Sequence, residues 1–147
     1  MKVIITIKID GNEVKVSTEQ KEAENETKKI DIHEAVSDYA KWFDDSCYVW
    51  TKDPEYNLTY LKCQERNANE YLRAKGFIFL NDVYAMLGMS KTKAGQVVGW
   101  IYDEEDPIGD NRVDFGLNSE RNADFINGYS NKVLLDFNVD GNILDYI

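Results

Sequence analysis

The chain is short of cysteine, histidine, long apolar runs and, in its last third, positive charge. Cys47 and Cys63 are the only cysteines among 147 residues, with no Cys-x-x-Cys between them. That spacing argues against a disulfide framework and fits reduced, structural thiols in a cytoplasmic protein. A single histidine, His33, excludes a multi-histidine metal site and leaves only a weak Cys–His nucleophile option. No apolar stretch approaches the roughly 20 residues that span a bilayer, so membrane insertion is not expected. MKVIITIKID alternates in polarity and lacks a small-residue cleavage site, unlike a signal peptide.

Positive charge runs out toward the C-terminus. Residues 1–100 hold 14 Lys/Arg against 16 Asp/Glu, a balance of −2, whereas residues 101–147 hold 3 against 11, a balance of −8. Such a field repels nucleic acid, whose affinity for proteins comes largely from Lys and Arg on phosphates, and attracts basic protein surfaces. The simpler reading, that acidity keeps a small protein dissolved, competes with this.

The size is that of one domain with a small appendage. A chain this long buries roughly 68–70% of its extended surface on folding, enough without a metal or a disulfide. Alternating segments around Asp10-Gly11-Asn12 predict a β-hairpin over residues 1–16. Residues 17–30 carry one apolar side chain from Ser17 to Lys29, Ala23, and predict a charged linker or solvated helix. From residue 31 an α+β domain is expected to run to residue 147. Ile32, Ala35, Val36, Tyr39 and Phe43 fall at helical spacing. A second helix has Asp53 as cap, Pro54 at its first position, a stripe of Leu58, Leu61, Ala68 and Leu72, and Gly76 as its stop. Asn81 is positioned to cap a short third helix that ends at Gly88. Beyond it, QVVGWIYD and RVDFGL read as strands, EEDPIGDN as the loop between them, and 119–127 as one more helix. The fold class is therefore α+β, with an N-terminal β-hairpin, a helical middle and C-terminal antiparallel strands.

DFNVDGNILDYI (136–147) matches a calcium loop at Asp136, Asn138, Asp140 and Gly141, but Ile147 stands where a bidentate glutamate is needed. No exiting helix can follow, so the segment reads as a hairpin turn. LNDVYAMLGMSKTKAGQVVGW (80–100) resembles a helix-turn-helix, in which Lys91, Lys93 and Gln96 would face a groove. Against it stand the bulk of Tyr84 and two glycines, Gly95 and Gly99, each costing a helix about 1 kcal/mol. Asp114-Phe115-Gly116 lacks the companion motifs of a kinase. No catalytic residue, metal site or cofactor is expected.

DPEYNLTYLK, GFIFLNDVYAMLG, SKTKAGQVVGWIYD, GDNRVDFGL and VLLDFNVDGNILDYI, in that order, resemble the C-terminal domain of a family of phage and prophage proteins of unknown function from Firmicutes. The resemblance covers residues 53–147 and implies a phage or mobile-element origin and action in a bacterial host cytoplasm. Together with the charge balance it leads to the expectation of a non-enzymatic accessory protein that binds a basic host or phage protein, such as a nucleic-acid-handling or defence enzyme that it inhibits. Asp103, Glu104, Glu105, Asp106 and Asp110 are the first candidates for the contact, with Asp114 and Asp124 next. Two alternatives remain: a virion component self-associating through edge strands at 2–9 or 132–139, and a helix-turn-helix regulator over 80–100.

Overall fold

A computed structural model describes residues 36–147 throughout and, before them, the backbone of four short strands. Contacts divide the chain into two units, residues 1–35 and 36–147. In the first unit β2 (Ile7–Ile9) pairs antiparallel with β3 (Asn12–Val14), with Ile9 opposite Asn12. This is the expected hairpin pairing, although the segment 2–9 is divided. Its first part, β1 (Lys2–Ile4), pairs instead with β4 (Ser17–Gln20), so the expected linker or solvated helix of 17–30 begins as a strand. The rest of that segment, the Asp10-Gly11 turn and His33 lie outside the described residues.

The second unit mixes helices and strands. α1 (Pro54–Lys75) is specified at both ends by local chemistry. The Asp53 carboxylate accepts the N–H groups of Glu55 and Tyr56 at 3.0 and 3.3 Å. Gly76, at φ 87°, takes the left-handed conformation that ends the helix and donates its N–H to Leu72. Leu61, Ala68 and Leu72 are buried as the spacing predicts, and each buried leucine stabilises the fold by roughly 2 kcal/mol.

β6 (Phe77–Phe79) leads into α2 (Leu80–Met86). Asn81 is not the cap expected of it. The cap is Phe79, whose N–H is held by the Asp82 carboxylate at 3.2 Å, and Asn81 turns away to Thr92. After Gly88 the chain makes a turn of 3-10 helix at Ala94–Gln96 and enters β7 (Val98–Ile101). The second helix of a helix-turn-helix is therefore not formed. Both glycines that weigh against it are required by close approach: a Cβ on Gly95 would meet the Asn81 carboxamide, and one on Gly99 the main chain of Ile78.

The sheet order is β6-β7-β9, all antiparallel, with β9 being Gly141–Asn142. This corrects the hairpin expected at 136–147. Asp140-Gly141-Asn142 does not turn the chain back on its own preceding strand. Asp140 N–H donates to Gly99 O, and Ile143 N–H to Val97 O, so the segment is an edge strand on β7. A second ribbon pairs β5 (Lys41–Phe43) with β8 (Val133–Leu135), Phe43 opposite Val133. The helix expected to reach Phe43 is thus replaced over 41–43 by a strand. Ser37 is fixed by the Asp136 carboxylate, which accepts both its N–H and its hydroxyl, and Phe43 is fully buried. On the far side of β8, Asn122 occupies the N–H and C=O of Leu134, so this strand offers no open edge there. α3 (Ala123–Ile126), preceded by a 3-10 turn, falls where 119–127 predicts a helix, and Gly128 closes it at φ 83°.

The core joins α1 and α2 to both ribbons around Trp100, Tyr84, Phe115 and Phe137. Phe137 contacts Tyr84 and Phe115 edge-on, with ring centres 5.7 and 5.4 Å apart. Tyr84 donates its hydroxyl to Tyr39 O, and burial pushes the phenol pKa up to about 12.

Candidate functional site

The loop that leaves β7 carries most of the candidate carboxylates. Tyr102 to Asn111 reads YDEEDPIGDN, with five acids and no Lys or Arg. Its neck is closed by a side chain: the Asn111 carboxamide accepts the Asp103 N–H at 3.1 Å and donates to the Asp103 C=O at 2.9 Å. Asn111 holds φ 59°, the left-handed region that asparagine tolerates better than most residues. Inside the neck, the Asp103 carboxylate accepts the N–H groups of Glu105 and Asp106 at 3.0 and 3.1 Å. Asp103 thus shapes the turn, while Glu104, Glu105, Asp106 and Asp110 are exposed. Glu104 also accepts the Tyr102 hydroxyl at 2.8 Å, and that bond raises the phenol above its ordinary pKa.

Asn138 ties the loop to the core. Its carbonyl oxygen accepts from Trp100 Nε1 at 2.8 Å and from Asp114 N at 2.7 Å. Its Nδ2 donates to Asp110 Oδ2 at 3.0 Å and to Arg112 O at 2.9 Å. Asp110 is brought beside Asp140. Burial raises the Asp140 pKa first, the Asp110 charge raises it further, and the bond from Ile101 N–H opposes both. Asp114 accepts Gly116 N–H at 2.8 Å and pairs with Arg112 at 2.9 Å. That ion pair is largely solvated and contributes at most about 1 kcal/mol. Glu65 on α1 accepts Phe115 N–H at 2.8 Å, and burial raises its pKa, with the Asp114 charge adding to the shift.

The structure therefore brings together Asp103, Glu104, Glu105, Asp106 and Asp110 on one exposed loop, with Asp114 linked to them through Asn138. Asp124 lies exposed on α3, and no hydrogen bond among the described residues joins it to this group. Asp140 and Glu65 escape sequence reasoning, since nothing local marks either as facing another acid. The side chains of the apparent cation loop point to separate partners: Asp136 to Ser37, Asn138 to Trp100 and Asp114, and Asp140 to Ile101. Among the described residues, no group of three or more His, Cys, Asp or Glu side chains is placed to hold a metal ion.

RVDFGL does not form the strand expected of it, with a bend at Arg112 and Gly116 at φ 71°. The Asn69 carboxamide accepts Val113 N–H at 2.7 Å and donates to Val113 C=O at 2.9 Å, taking the place of a neighbouring strand. Cys47 is buried and Cys63 half-buried, and both are free thiols. No helix among the described residues is long and apolar enough to cross a membrane.

Over residues 6–147 the chain matches a family described as of unknown function, DUF6353. It belongs to that family. The match takes in the N-terminal strands from β2 onward as well as the whole second unit, so the family pattern is wider than the five blocks from residue 53. No curated protein and no solved structure matches the chain.

Proposed function

We propose that this protein acts by binding a basic protein surface through the loop 103–110, without chemistry of its own. One observation carries the reading. Five carboxylates are displayed on a loop without Lys or Arg, and the loop is shaped by the Asn111–Asp103 closure rather than left free. A preformed negative face loses little entropy on docking, and its field speeds encounter with a positive partner. Asp110 and Asp114 extend the face toward Asn138. The resemblance to phage and prophage proteins supports a narrower version, in which a mobile element supplies the protein to a bacterial cytoplasm. There the carboxylates occupy the phosphate sites of a host nucleic-acid-handling or defence enzyme and inhibit it.

The test is affinity capture from bacterial lysate with the wild-type chain and with Asp103, Glu104, Glu105 and Asp106 changed to lysine. A partner retained only by the wild type, and released as salt is raised, is the expected result. Recovery of the same proteins by both baits would refute the reading.

A further inference from the structure

We propose that a second site, at one end of the β5–β8 ribbon, binds a neutral sugar. Because Phe43 lies opposite Val133, the loops 44–50 and 128–132 emerge at the same end of the ribbon. Between them opens a shallow cleft of about 380 Å³ lined by Asp44, Asp45, Trp50, Ser130, Asn131 and Lys132. That is near the lower end of the roughly 300–1,000 Å³ typical of small-molecule sites, a size for one or two sugar rings rather than a large cofactor.

Three features of the cleft point to a polyhydroxylated ligand. The first is an aromatic surface in a polar setting. Trp50 is half-buried, and its indole N–H is fixed on Asn131 O at 2.7 Å. Outside the lining, the same two loops carry Tyr48 and Tyr129 at 93% and 83% exposure. Sugar rings present C–H faces that pack on such rings.

The second feature is the mixture of donors and acceptors. Asp44 uses one carboxylate oxygen on Ser46, leaving the other open. Among the described residues no hydrogen bond engages the Asp45 carboxylate, the Asn131 carboxamide or the Lys132 ammonium. Hydroxyl groups both donate and accept, so a sugar can satisfy all three kinds of group.

The third feature is charge. Two carboxylates and one ammonium line the cleft, and the ammonium is held 5.3 Å from the centre of the Trp42 ring. An anion would meet Asp44 and Asp45, and a cation would meet Lys132. A neutral ligand avoids both penalties. The cleft shares no residue with the 103–110 loop, so either reading stands without the other.

The test follows the Trp50 indole N–H by two-dimensional NMR during titration with four neutral disaccharides: chitobiose, cellobiose, lactose and mannobiose. The expected result is a saturable shift with at least one of them. That affinity should fall about tenfold in Asp45→Ala and in Asn131→Ala, each of which removes the hydrogen bond of one side chain. Both side chains are exposed, and Asn131→Ala keeps the carbonyl that anchors Trp50, so neither change threatens the fold. Absence of a saturable shift with all four sugars would overturn the proposal, as would an unchanged affinity in both variants. A response to N-acetylarginine amide with none to the sugars would assign the cleft to a basic peptide instead.

Discussion

Residues 53–101 and residues 102–140 solve the same problem in different ways. The first region satisfies most of its backbone by repetition, with a 22-residue helix and strands that pair N–H to C=O along their length, and relies on a side-chain amide chiefly at Thr92, both of whose main-chain groups Asn81 engages. The second has little regular structure, and side-chain amides do the work of a missing strand. Asn69 pairs with both main-chain groups of Val113, Asn111 with those of Asp103 and Asn122 with those of Leu134. Asn138 adds four bonds to four different partners. A carboxamide has the donor and acceptor of a peptide group, so it can stand in for one at a single point where no strand runs alongside. The acidic face is therefore built on a framework in which individual side chains matter more than length or periodicity.

The sharpest way to break this comparison is Asn122→Asp. The shape is kept, but a carboxylate cannot donate to Leu134 O and Gly116 O, and residue 122 is 3% exposed. A loss of about 3–4 kcal/mol at neutral pH is expected, from unmet carbonyls and a buried charge. Urea denaturation would check it, and a cost below about 1 kcal/mol would show that the amide is not needed. Asn138→Ala is next, at roughly 3 kcal/mol, because the buried Trp100 Nε1 and the Asp114 N–H lose their acceptor. Its indole should also become a reporter, with tryptophan emission shifting to the red as water reaches Trp100.

In the regular region the corresponding change is milder. Asp53→Ala removes the α1 cap, yet the helix keeps its packing, so about 1 kcal/mol is expected from the same denaturation measurement. Should Asp53→Ala prove costlier than Asn138→Ala, the contrast between the regions would fail.

The smallest effect concerns pH. Glu65 and Asp140 both have pKa values raised in the folded state. The native protein therefore binds protons more tightly than the unfolded chain, and stability falls as pH rises from the ordinary carboxylate value through the raised ones. The contribution is fully present below the ordinary value of about 4 and is lost above the raised values. Thermal melts should accordingly show a gain on acidification from neutral pH into that window, and Asp140→Asn should reduce the gain. A gain of the same size in that variant would remove Asp140 from the account.

What could be read from the amino-acid order follows the same division. α1 was legible from Asp53, Pro54, the apolar stripe and Gly76 because all of its determinants are local. The loop 103–110 was legible as exposed and acidic because composition alone decides that. β5 was not, since Lys41–Phe43 becomes a strand only through pairing with Val133–Leu135, far along the chain. Asp140-Gly141-Asn142 misleads for a related reason: its residues favour a turn, but the edge of β7 accepts its main-chain N–H groups at Gly99 and Val97. Among the candidate carboxylates, Asp110 and Asp114 were found by composition. Asp140 and Glu65 were not, because their approach depends on which elements end up as neighbours.

The strand pairing has one more consequence. Both strands that follow the acidic loop are hydrogen-bonded to strands that precede it, β8 to β5 and β9 to β7. Covalent continuity between residues 104 and 109 is thus not what keeps the two sides of the second unit in place. The segment is a detour in the chain, and a break within it would leave both strand pairings, and the neck at Asp103 and Asn111, hydrogen-bonded beneath it.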